Sequence, residues 1–218
     1  MEGRAAAARP RVRGGKEVVL RAAIANFTER GFHGTSMRDI ARDAEVTVAS
    51  IYHHYPSKQE ILAEIMAKTL SDVIASTRQA LMAAGSSPAD QLQAVVRAWI
   101  QFHTTRQAEA LIGASELRSL ESAGRRLVVT LRDEQESLFR DIVERGVEMG
   151  EFATPCPREA ARAVINMGRA VASWYRIGGD TTPDQMSERY AELALAIVRG
   201  PAPSVACTEH PAPAPHRP

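Results

Sequence analysis

The 218 residues carry 27 Lys and Arg against 26 Asp and Glu, a net charge of +1, with 44% hydrophobic but only 5% aromatic residues. The two cysteines, Cys156 and Cys207, lie far apart and imply no disulfide framework. No secretory signal opens the chain, and no apolar run reaches the length of a membrane span. These features exclude a disulfide-stapled secreted domain and a membrane protein, and point to packed helices in one or two domains in a reducing cytoplasm.

Taken in order, residues 1–15 are rich in Ala, Arg and Gly and are expected to be disordered. The first 16 residues hold Arg4, Arg9, Arg11, Arg13 and Lys16 against Glu2, a balance of +4 that leaves −3 for the rest. Such an arm suits attraction to phosphates and equally suits a plain solubilising tail. A first helix is expected over about 16–30, with Leu20, Ile24 and Phe27 on one face and Gly31 as its stop. A second helix runs from about Met37 to Ala44, capped by Ser36 or Thr35, with Asp39 as a weaker capping-box partner. A turn at Glu45, Val46 and Thr47 leads to a short third helix, Val48 to His54, anchored by Ile51 and ended by Tyr55-Pro56. Ser57-Lys58-Gln59-Glu60 reads as a full capping box opening a fourth helix that continues to about residue 82.

After the break at Gly85–Pro88, a fifth helix presents Leu92, Val95, Val96, Trp99, Ile100 and Phe102. A shorter piece from Arg106 to Gly113 follows, residues 113–126 are left open between loop and helix, and a long helix carries Leu127, Leu131, Leu138 and Phe139. Pro157 opens an eighth helix that Gly178-Gly179 stops, and Thr182-Pro183-Asp184-Gln185 opens a ninth that runs to about Arg199. The proline-rich residues 201–218 are expected to be disordered. The fold class is all-α, with no convincing strand and no internal repeat.

Ser36 to Lys58 has the form of a helix-turn-helix, in which the second helix enters the DNA major groove and its neighbours grip phosphates. The outward residues of that short helix and its cap, Thr47, Val48, Ala49, Ser50 and His53, are mostly small or hydrogen-bonding and allow close approach to base edges. Tyr52 and Lys58 suit phosphates, the latter at a helix N-terminus, and Ser36 and Arg38 are added at the start of the second helix. The competing reading is an ordinary helical hairpin with a solvated face.

Residues 16–62 resemble the DNA-binding domain of the TetR family of bacterial regulators. The resemblance is carried by Leu20, Ala23, Phe27, Gly31, Thr35, Ile40, Ala41, Ala44, Val46, Ile51-Tyr52-His53-His54-Tyr55, Ser57-Lys58 and Leu62. It implies a three-helix head over 16–62, a helical ligand-binding and dimerisation body over 63–200, and a homodimer that binds a palindromic double-stranded DNA operator. It also implies a repressor released by a small effector; no cofactor and no membrane partner are expected. The family commonly has glycine where Glu45 stands, a position at which positive φ costs a glutamate about 1 kcal/mol. Helices eight and nine, rich in Ala160, Ala161, Ala163, Gly168, Ala170, Ala172, Ala191, Ala194 and Ala196, fit a four-helix dimer interface.

Trp174-Tyr175-Arg176, Gly178-Gly179, Thr182 and Tyr190 are similar to family members that sense acyl-CoA or sterol-derived CoA thioesters. Such a ligand needs an apolar pocket, for which Trp99, Phe102, Leu111, Leu131, Phe139, Met167 and Trp174 are candidates, with His103 beside them. It also needs cations for its phosphates, for which Arg118, Arg125, Arg126 and Arg176 are candidates. The competing reading makes the aromatics core and the arginines solvated.

Against an enzyme, none of the six histidines has metal-ligand spacing. Gly113-Ala114-Ser115-Glu116 begins like a nucleophile elbow but has Leu117 at the second glycine position, and no glycine-rich phosphate loop exists. The alternatives are therefore a hydrolytic enzyme without an identifiable catalytic constellation and a non-regulatory helical dimeric scaffold.

Overall fold

The computed structural model describes residues 15–200; the expected arm lies outside them up to residue 14, as does the tail over 201–218. The described residues form α1 (Gly15–Arg30), α2 (Met37–Asp43), α3 (Val48–His54), α4 (Lys58–Ala83), α5 (Pro88–Thr105), α6 (Gln107–Ser115), α7 (Ser122–Glu148), α8 (Pro157–Trp174) and α9 (Pro183–Arg199), with a 3-10 turn at Glu116–Ser119. No strand occurs among them. No described helix is long and apolar enough to cross a membrane.

Local chemistry explains most boundaries. Ser36 and Asp39 make the complete reciprocal capping box, and Thr182 and Gln185 make another. At Ser57 only half forms: its hydroxyl accepts from the Glu60 N–H, and Glu60 does not return the bond. The relative strengths expected for the first and third of these boxes are thus reversed. Residues 113–126, left open above, resolve into the end of α6, the 3-10 turn and the first turn of α7. Helix α8 ends at Trp174, four residues before Gly178. Gln107 of α6 explains this, because its Nε2 donates to the carbonyls of Ala172 (3.3 Å) and Tyr175 (2.7 Å) at that end.

Two apolar cores organise the chain. The larger surrounds α5, whose Leu92, Val95, Val96, Trp99 and Ile100 are buried against α4, α7, α8 and α9. Gly168 lets α8 lie against Trp99: a Cβ there would clash with the indole ring, and the indole N–H donates to the Ile165 carbonyl at 3.2 Å. The smaller core holds Leu20, Ala23, Phe27, Ile40, Ile51, Ile61 and Leu62, and is completed by Ile112, Leu120 and Val128 from α6, the 3-10 turn region and α7. Packing therefore crosses residue 62, and α6 is built into the head's core.

Candidate DNA-reading face and effector cavity

Helix α3 is presented by a network of short bonds beneath it. Ile51 is fully buried, and Val48 packs on the same core. The α2–α3 turn closes on the pair Glu45 N–H to Arg42 O (3.1 Å) and Val46 N–H to Ala41 O (3.0 Å), the bond pattern of a Schellman cap. That cap needs a left-handed residue, and Glu45 supplies it with φ 54°. The geometry usually given to glycine is thus kept, with the glutamate exposed. Buried Asn26 ties α1 to α2 by donating to Asp43 Oδ2 at 2.9 Å.

The predicted DNA contacts separate into two groups. Ala49, Ser50, Tyr52 and His53 are exposed on α3, and Arg38 is exposed on α2 without an ion pair among the described residues. Tyr52 keeps 52% of its surface open. In the other group Val48 is half-buried on the head's core and the rest are engaged in bonds within the protein. The Ser36 hydroxyl lies 2.5 Å from Asp39 Oδ2, and the Thr47 hydroxyl accepts from the Ser50 N–H at 3.1 Å. The Ser36 bonds hold the Asp39 carboxyl down at about 2. Lys58 departs furthest from expectation. Its ammonium donates to the carbonyls of Phe32 and Thr35, both at 2.5 Å, and sits 4.3 Å from the Phe32 ring centre. It clamps α4 to the α1–α2 loop, and burial lowers its pKa.

In the body, a cavity lies among α4, α5, α6, α7 and α8. Its inner chamber, about 50 Å³, is lined by Met66, Thr69, Val73, Phe102, Ala110 and Gly113 among others. A second chamber of about 190 Å³, termed outer because it lies on the α7–α8 side away from α6, is lined by Val129, Asp133, Gln135 and Glu136 among others. Leu70, Trp99, Arg132 and Arg169 belong to both and form the neck. His103 lines the inner chamber; its Nδ1 lies 2.8 Å from the Trp99 carbonyl, and burial lowers its pKa to about 4, so it is neutral at pH 7. Among the described residues, no cluster of His, Cys, Asp and Glu is arranged to hold a metal ion.

Of the predicted ligand residues, Trp99, Phe102 and His103 meet in this cavity. The others do not line it. Phe139 is fully buried with its ring 5.8 Å from Trp99, and Met167 packs on the larger core. Leu131 is half-buried elsewhere, Leu111 faces out, and Arg118, Arg125, Arg126 and Arg176 are exposed. Trp174 is 50% exposed with its ring 6.4 Å from Tyr190. Arg132, Gln135 and Arg169 escaped the sequence reading although a signal existed. Val128, Arg132, Gln135, Phe139 and Ile142 follow the helical stripe i, i+4, i+7, i+11, i+14, and Arg169 sits between Ile165 and Ala172 in the same way.

The sequence matches two family models: "Bacterial regulatory proteins, tetR family" over residues 19–65 and "Tetracyclin repressor-like, C-terminal domain" over residues 85–198. The chain belongs to the TetR family of bacterial transcriptional regulators. It is 30% identical over 184 residues to the transcriptional repressor KstR2 of Mycobacterium tuberculosis, covering 84% of this chain and 90% of that one. A TetR-family regulatory protein from Rhodococcus RHA1 superposes with TM-score 0.80 at 28% identity, over 84% of this chain and 96% of that one. AibR, solved with isovaleryl coenzyme A and operator DNA, has the same fold, with TM-score 0.74 at 21% identity over 86% of this chain and 99% of that one. As a TetR regulator, the protein combines a DNA-binding helix-turn-helix head with a helical ligand-responsive body.

Proposed function

We propose that this TetR regulator is a repressor that binds a twofold-symmetric operator as a homodimer and is released when a hydrophobic or acyl-CoA-like effector enters the cavity. The head spans residues 16–62 and the body 63–200. Ala49, Ser50 and His53 face base edges, while Tyr52 and Arg38 meet phosphates. The dimer forms through α8 and α9, whose open faces offer Ala163, Ala170, Leu193 and Ala196, small or apolar groups that permit close helix approach. The protein acts in the cytoplasm and carries out no catalysis of its own. KstR2 is named a repressor, which supports repression here.

The observation that carries this reading is the double attachment of α6. Ala110, Gly113 and Ala114 wall the inner chamber, while Ile112 is buried in the head's core. A ligand that widens the inner chamber displaces α6 and, with it, the packing beneath α1 and α4. Coupling between such sites is typically about 1–3 kcal/mol, enough to change operator affinity by a factor of about 5 to 150.

The test is a mobility shift with DNA flanking the gene. Salt-sensitive binding to a twofold-symmetric sequence is expected, weakened by long-chain acyl-CoA. Binding without sequence preference would return the protein to the scaffold or enzyme alternatives. Full binding at saturating acyl-CoA would remove that ligand class.

A further inference from the structure

The neck of the cavity presents an unusual electrostatic situation. Arg169 is half-buried at the junction of the two chambers, and among the described residues it makes no hydrogen bond and no ion pair. Arg132 lines the same two chambers and lies near enough that Arg169 repels it; burial and that repulsion both lower the Arg132 pKa. Among the described residues its only hydrogen bond runs from Nη2 to the Gly113 carbonyl on α6. Two guanidiniums of like charge therefore share a confined space in which hydration is reduced. Such charges are destabilising unless an anion offsets them.

The acids around the neck do not fill this role. Glu136 acts on Arg169 through space, but its Oε1 is held by Arg162 at 2.9 Å. Glu109 is held by Arg106 at 3.0 Å, and Asp133 is exposed on the outer rim. His103 is neutral. A further polar group faces the outer chamber: the Gln135 side chain, 3% exposed, has its Oε1 3.2 Å from the Thr77 hydroxyl and its Nε2 without a partner. The Thr77 hydroxyl also approaches the Val73 and Ile74 carbonyls, so its single hydrogen is contested. Rotation of the amide can therefore turn either end toward the chamber. Beyond the neck, Val73, Phe102 and Met66 make the inner wall apolar.

We propose that the neck is a recognition site for an anionic oxygen group of the effector, held between Arg169 and Arg132. The effector is an amphipathic anion whose apolar part enters the inner chamber. The proposal rests on the reading of this cavity as the effector site and adds the chemical class of the ligand and the residues that select it. It also supplies a link to α6. An anion that takes the Arg132 guanidinium competes with the Gly113 carbonyl, the point at which α7 holds α6. The anionic oxygens come either from a carboxylate or from the phosphates of a coenzyme A thioester.

Two matched pairs of probes separate these sources: octanoate against octanol, and octanoyl-CoA against S-octanoylpantetheine, which lacks the phosphates. Binding to the full-length protein is measured by calorimetry, and release of operator by mobility shift. Wild type is expected to prefer the anion of at least one pair by about ten-fold or more, the scale of charge-assisted hydrogen bonds. In Arg169→Gln that preference should fall to about three-fold or less while the neutral probe binds as before, and Arg169→Lys should restore most of it. The pair whose ratio collapses identifies the source of the oxygens. Circular dichroism and operator affinity without ligand report whether the variant is folded, and Arg132→Gln carries the same comparison if Arg169→Gln is not. Ratios unchanged in the folded variants overturn the anion site. So does equal binding of anionic and neutral probes with release of operator, which leaves the effector reading standing. Failure of all four probes to bind overturns the anion site and removes the acyl-CoA class of effector.

Discussion

The DNA head and the ligand body are built from the same material, short-loop helices with alanine-rich faces, yet they put their charged side chains to different uses. In the head, side-chain bonds tie the loops beneath the reading surface together, although the Tyr55 hydroxyl, Gln59 Oε1 and Asn26 Oδ1 are buried without partners among the described residues. Lys58 holds two carbonyls, Thr35 reaches the Asn26 and Gly31 carbonyls, and Asn26 reaches Asp43. In the body, Arg169 and one end of Gln135 face the cavity without partners. A surface that must meet DNA in a set register benefits from such ties, because each bond removes an alternative geometry. A chamber that must respond to a ligand benefits from groups whose needs are left for the ligand to meet.

The comparison can be broken most severely at the two cores. Ile51→Ala and Phe139→Ala each empty a fully buried position and should cost about 2–5 kcal/mol. If the regions differ as described, thermal unfolding with operator titration will show a different loss in each. Ile51→Ala should abolish operator binding, whereas Phe139→Ala should lower the melting temperature and disturb the cavity behind Trp99. Equal effects of both on operator binding would mean that the two regions are one cooperative body with no division of labour.

The reading face can be sharpened next. Ser50→Ala should alter discrimination between operator variants by about 1–3 kcal/mol per affected base pair, whereas Tyr52→Phe should weaken specific and nonspecific DNA alike. Fluorescence anisotropy across a panel of operators separates the two patterns. Lys58→Met removes a clamp and leaves two carbonyls without their donor, so chemical denaturation should show a loss of about 1–3 kcal/mol. If Lys58 served phosphates alone, that substitution would leave stability unchanged and reduce only the salt dependence of DNA binding. The smallest effect belongs to Glu45. Glycine relieves the left-handed strain at φ 54°, and Glu45→Gly should raise stability by about 1 kcal/mol in the same denaturation assay, with operator specificity retained.

The head was legible because its signals are local. Caps at Ser36 and Thr47, the Gly31 stop, the Tyr55-Pro56 end and the periodic positions of Ile40 and Ile51 all act within a few residues of themselves, and they place α1 to α3 almost to the residue. Even the strain at Glu45 follows from its place in a turn of known form. The body was legible only as a set of helices. Trp99, Phe102 and His103 reach the cavity, but the aromatic character that nominated Phe139 and Trp174 does not say whether a side chain is enclosed, lines a chamber or faces outward.

Composition, periodicity and caps pointed to an all-α chain and placed its helix-turn-helix, and the ordered run of matching residues over 16–62 carried the resemblance to its family. Only the tertiary structure decided that Lys58 turns inward, that α6 belongs to two cores at once, and that Arg132 and Arg169 meet at a neck. The physical reason is range. Helix propensity and capping are fixed by neighbours along the chain, whereas burial of a charge and its partners are fixed by residues tens of positions away, on helices whose packing decides what each side chain faces.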